Sequence, residues 1–126
     1  MLPILNKNIS PIENPIEFFS ALGWLHDACL DFFAFNFVSR ELIIEIDDLY
    51  SNFYQTLDYI NGVSARFIFS DLDNSCIDII APGINANRIL KFSIFEISKK
   101  ERFGILINLE EGSIRFEFSS ITGMVC

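Results

Sequence analysis

The chain is short of histidine, cysteine and positive charge, and each shortage excludes something. It has one histidine, three cysteines and nine lysines and arginines against seventeen acidic residues, a net charge of −8. A lone histidine with no cysteine cluster is a poor zinc site. Cys29, Cys76 and Cys126 are an odd set without metal-like spacing; they read as reduced thiols of a cytosolic protein, two of them buried in strands. Nucleic-acid binding needs basic residues to displace counterions, so this charge balance opposes it, and an anionic membrane is disfavoured for the same reason. No apolar run approaches the ~20 residues of a membrane span. The start, Met-Leu-Pro-Ile-Leu-Asn-Lys-Asn, has no basic region followed by an apolar stretch and a cleavage site, so no signal peptide is expected. Neither a phosphate-cradling glycine loop, a Gly-x-Ser-x-Gly elbow nor a cysteine–histidine nucleophile pair is present, and no cofactor is expected.

What is abundant is phenylalanine, with fourteen residues of 126. Many of these rings fall on alternate positions of short runs. In Ser113-Ile-Arg-Phe-Glu-Phe-Ser119, Ile114, Phe116 and Phe118 lie on one side, and Ser113, Arg115, Glu117 and Ser119 on the other. That period belongs to a strand with one dry and one wet face. The same pattern recurs in Leu42, Ile44 and Ile46 and in Ala65, Phe67 and Phe69.

The length predicts a single domain, 1–126. Residues 1–14 read as an extended arm. Asn14-Pro15-Ile16-Glu17 then looks like a helix start, with Asn14 as cap, Pro15 at the first helical position and Glu17 at the third. The helix is expected over 15–22 and to end near Gly23, where left-handed geometry is wanted. The β region is expected over 25–126. Leu30 to Phe37 is apolar on both faces and reads as a central, covered strand, paired as a hairpin with Glu41 to Asp47. Residues 48–62 are the least regular; Tyr50 to Thr56 is compatible with a helical turn or a loop. Glu110-Glu111-Gly112 suits a three-residue hairpin whose glycine is in αL and forms a bulge. The fold class is mainly β (α+β), an antiparallel meander of seven to eight strands curled into a barrel or folded as a sandwich, with one short N-terminal helix.

Three groups of residues could carry chemistry. His26-Asp27 could be a general base with an orienting carboxylate. Adjacent residues of an extended strand face opposite ways, however, so the preferred reading is that both bond backbone groups where helix gives way to strand. Asp47, Asp48 and Asp58 could hold a hard cation or a basic partner, or could simply end a strand and begin a turn. Beside them, Tyr50, Phe53, Tyr54 and Tyr59 are the residue types of interface anchors, or of a loop plugging one end of the sheet. Asp71-Leu-Asp-Asn-Ser75 lacks the glycine and glutamate of a calcium loop and reads as a turn.

The segment Trp24-Leu-His-Asp-Ala-Cys29, followed by a hydrophobic strand and by a second strand ending in Asp47-Asp48-Leu-Tyr50, resembles a group of small bacterial proteins. Some of these are similar to immunity proteins of polymorphic toxin systems, with a His-Asp-Ala start to the first strand. The resemblance implies a cytoplasmic, non-enzymatic protein that neutralises a toxin by binding it, with Trp24, His26 and Asp27 in a structural role.

Two functions follow as expectations. One is a protein-binding module that presents an acidic, aromatic-bearing surface, Asp47, Asp48, Tyr50, Phe53, Tyr54, Asp58 and Tyr59, to a basic partner. The alternative is a small apolar-ligand carrier or enzyme with a Phe-lined pocket in the curved sheet. A homodimer through an exposed strand edge is compatible with either.

Overall fold

A computed structural model describes residues 2–53, 55–56, 62–79, 87–98 and 101–126. After an arm that contributes the short strand β1 (Ser10–Pro11) come helix α1 (Pro15–Ala21), a 3-10 turn at Gly23–Leu25, β2 (Leu30–Asn36) and β3 (Glu41–Ile46). A second 3-10 turn at Ser51–Phe53 precedes β4 (Ala65–Ser70), β5 (Asp73–Ile79), β6 (Ile89–Ser98), β7 (Arg102–Leu109), β8 (Gly112–Phe118) and β9 (Ser120–Val125). The strands form two antiparallel sheets, in the orders β1-β9-β4-β3-β2 and β5-β8-β7-β6, and neither closes into a barrel.

Alternation determines which side of each strand is buried. Leu42, Ile44 and Ile46 of β3 oppose Phe69, Phe67 and Ala65 of β4, and all six are buried. On the other sheet Ile105 and Ile107 oppose Phe116 and Ile114, again buried. At one end the sheets meet directly: the Phe69 ring lies 5.0 Å from both Phe116 and Phe118, centroid to centroid. At the other end α1 is wedged between them. Its Phe19 ring sits 5.0 Å from Phe67 on one sheet and 4.8 Å from Phe92 on the other. The helix is short, so this packing rather than intrinsic propensity holds it. Its cap is the expected one, with Asn14 Oδ1 accepting from the Glu17 amide and the Asn14 amide donating to Glu17 Oε2.

The order is not a simple meander. β9 returns to lie between β1 and β4, and β5 pairs with β8, so the β4–β9 ribbon of one sheet continues as the β5–β8 ribbon of the other. An ionic clasp closes the bend. Arg102 contacts the carboxylates of Asp71, Asp73 and Glu117, and Arg40 donates twice to the Leu72 carbonyl. Asp71 and Asp73, read from sequence as turn residues, lie in this clasp.

Two expectations are corrected. β2 is not a covered central strand: it is the last strand of its sheet, with Phe32 at 48% and Phe37, in the following turn, at 86% exposure. No described strand pairs beyond it, and residues 31–36 are exposed or only partly buried, so it is not covered on both faces. Gly112 has the positive φ expected of it but lies outside the αL region. It directly follows a two-residue turn, has φ +148°, and a Cβ there would stand 2.5 Å from the Asp78 carbonyl oxygen. The close approach of β5, rather than a bulge, requires glycine at this position.

Candidate functional site

The segment after α1 is built from left-handed residues. Gly23, Trp24, Leu25 and Asp27 have φ of 68°, 58°, 55° and 70°. Each non-glycine residue in that region costs about 1–2 kcal/mol. The full burial of Leu22, Leu25 and Ala28 in the core offsets it. Gly23 is favoured by its φ of +68°, and a Cβ there would displace the exposed Asn52 side chain, whose nitrogen would lie 2.1 Å away.

This geometry corrects the expectation for His26 and Asp27. The positive φ of Asp27 breaks strand alternation, so the two side chains meet, His26 Nδ1 lying 3.2 Å from Asp27 Oδ2. Asp27 also faces Arg88 at 3.7 Å, and Arg88 pairs with Glu110. The preferred reading holds only for main-chain groups: the Asp27 amide donates to the Ile89 carbonyl and the His26 carbonyl accepts from Ser51 Oγ. Both side chains are more than half exposed. The one hydroxyl bonded here, Ser51, is spent on a backbone carbonyl, so no nucleophile is bonded to this imidazole among the described residues.

The acidic, aromatic segment is taken apart by the fold. Tyr50 is 2% exposed and its hydroxyl donates to the Pro3 carbonyl at 2.7 Å. It ties the arm to the core, and its burial removes it from the expected binding surface. Asp48 Oδ1 accepts from the Tyr50 amide. Asp47 Oδ1 accepts from the Cys29 amide at 2.7 Å. Trp24 is half-buried against the core, and Phe53 is partly buried in the second 3-10 turn. Tyr54, Asp58 and Tyr59 lie outside the described residues. No group of three or more histidine, cysteine or acidic side chains among the described residues could hold a metal ion.

Sequence reading missed a different acidic patch, at the start of β2. There Asp31 and Phe32 are exposed, Phe32 opposes Glu45 on β3, and Asp47 is close by. Burial, then the charges of Asp47 and Glu45, push the Asp31 carboxyl above the usual range. Burial, followed by Asp47 and Asp31, raises the Cys29 thiol, which keeps it protonated and unreactive. Cys76, expected to be buried, is exposed, as is every residue from Asp73 to Asp78 on β5. The signal for this patch was the charged residue inside the apolar run Leu30–Phe37, which a strand covered on both faces would not tolerate unpaired.

Three surface clefts flank these features. One of about 690 Å³ lies between the arm and α1, lined by Leu2, Ile4, Leu5 and Phe18 with Glu13 and Glu17. A second, about 560 Å³, lies between the Gly23–His26 turn and the open edge of β6. A third, about 300 Å³, includes Asp31, Phe32 and Asn87. No helix among the described residues is long and apolar enough to cross a membrane. No protein-family model, curated protein or solved structure matches this chain.

Proposed function

We propose that this chain is a non-enzymatic, immunity-like protein-binding module that engages a basic partner through the edges of its sheets. The distribution of exposed apolar side chains carries this reading. Among the described residues the large ones are Ile4 and Ile9 on the arm, Phe32, Phe37 and Val38 on β2 and its turn, Ile77 on β5, and Leu90, Phe95 and Ile97 on β6. Every one lies on the arm or on an edge strand and its turn; β3, β4, β7, β8 and β9 have none. Exposed edges are ordinarily blunted with charge, and the β2 edge, with Asp31 as its one charged residue, is hardly blunted. Open edges accept an extended segment of another protein. The acidic residues Asp31, Glu45 and Asp47 around Phe32 suit a partner of opposite charge, and complementary charge speeds encounter and is screened by salt.

The test is affinity capture from the source cell at low and moderate salt, with wild type and a Phe37→Ser/Val38→Ser variant. Phe37 and Val38 are 86% and 95% exposed, so the variant should fold as wild type does. A basic protein retained by wild type, weakened by salt and lost with the variant is the expected outcome. A retained set unaffected by both salt and the substitutions would refute the proposal.

A further inference from the structure

The cleft between the Gly23–His26 turn and β6 has the make-up of a small-molecule site. Its walls are Trp24, Leu90 and Phe92, and its polar groups come from Asn52, Lys91 and Ser93, with His26 at the side. Its volume, about 560 Å³, falls within the roughly 300–1,000 Å³ typical of such sites. Apolar walls with a few convergent polar groups are the usual composition.

The polar groups are uncommitted. Among the described residues, no hydrogen bond or ion pair engages the Asn52 amide, the Ser93 hydroxyl or the Lys91 ammonium. The acid nearest in sequence, Asp27, is already held by His26 and Arg88 and does not line the cleft. Among the described residues the site therefore offers one positive charge, neutral donors and an aromatic face, with no carboxylate. A cationic ligand would gain from the Trp24 ring but would be repelled by Lys91 with no acid to compensate. A polyphosphate would find one cation where several are needed. A single carboxylate attached to a ring satisfies all the groups: the ring lies against Trp24 and Leu90, and the carboxylate takes a charge-assisted hydrogen bond from Lys91 and neutral ones from Asn52 and Ser93.

We infer that this cleft binds an aromatic carboxylate, with Trp24 as the ring platform and Lys91 as the counter-charge. Such a group can be a free aromatic acid or the C-terminal aromatic residue of a polypeptide. The inference does not depend on the edge-strand reading above, because none of the residues tested there lines this cleft.

Trp24 is the only tryptophan of the chain, so all tryptophan emission comes from a residue that lines the cleft. The probes are 3-phenylpropionate, its uncharged amide, and a short peptide ending in Phe with a free or an amidated C-terminus. Backbone and side-chain amide NMR shifts, including the Asn52 amide, give a second readout where emission is silent. The expected result is saturable binding of the free acid, the free-carboxyl peptide or both, with Kd on the order of 1 mM or tighter for a ligand this small. The better-bound of the two identifies the source. The amides, and the free acid with Lys91→Gln, should bind at least about tenfold more weakly, the loss of a charge-assisted hydrogen bond. Lys91 is exposed, so K91Q keeps the fold, which circular dichroism confirms. Absence of saturable response in both readouts, equal binding of acid and amide, or undiminished binding to K91Q would overturn the inference.

Discussion

Replacing Phe19 by alanine removes the wedge between the two sheets. The ring is fully buried, with centroids 5.1, 5.0 and 4.8 Å from Phe18, Phe67 and Phe92. Returning a buried Phe side chain to water costs roughly 1.5–3 kcal/mol. The residual cavity between two sheets that cannot collapse independently brings the loss to about 3–5 kcal/mol. Domains of this kind hold on the order of 5–15 kcal/mol in total, so F19A should fold but only marginally. With a urea m-value of about 2 kcal/mol/M, the midpoint of unfolding should fall by about 2 M. The control is Phe37→Ala, at a ring 86% exposed in the β2–β3 turn, which should stay within about 0.5 kcal/mol of wild type. A loss for F19A below about 1 kcal/mol, or one no larger than that of F37A, would refute the placement of α1 as the plug of the sandwich.

Gly112→Ala should destabilise by about 1–3 kcal/mol in thermal melts, because a Cβ would stand 2.5 Å from the Asp78 carbonyl oxygen at φ +148°; an unchanged melting temperature would show that β5 does not press on the β7–β8 turn. Asp31→Asn should raise stability at neutral pH. The Asp31 carboxyl is held above its usual range by burial and by Asp47 and Glu45, so the charged form is disfavoured in the folded state and stability is lost as pH rises through the folded pKa. The advantage of D31N should vanish once pH falls below the ordinary aspartate range, and an advantage confined to acid would contradict the sign. Iodoacetamide at mildly alkaline pH, followed by peptide mass mapping, should label Cys76 before Cys29 and Cys126. Cys76 is exposed on an edge strand, whereas burial with nearby carboxylates raises both other thiols; uniform labelling would argue against that arrangement.

Local rules were legible. The Asn14 cap, the Pro15 start and the end of the helix near Gly23 follow from short-range chemistry and appear as expected. So does the alternation that buries Phe67, Phe69, Phe116 and Phe118. The candidate site was less legible. Asp47, Asp48 and Tyr50 carry the composition of a binding surface, yet their polar groups are spent on backbone partners contributed by Cys29, Tyr50 and Pro3. The Asp48–Tyr50 bond is local, but Asp47 and Tyr50 reach Cys29 and Pro3, partners so far away in sequence that they leave no periodic trace. His26 and Asp27 meet only because Asp27 is left-handed, a conformation that residue type permits but does not announce.

Composition and odd–even patterning thus determined that this chain is mainly β, which side of most strands is dry, and where its helix begins, because those depend on neighbours within a few residues. Which strands lie at the edges, that β9 inserts between β1 and β4, and that Trp24, Asn52 and Lys91 share a cleft were decided only by tertiary structure. The physical reason is that strand order depends on pairings between distant segments, each of which could satisfy the same hydrophobic pattern with a different neighbour.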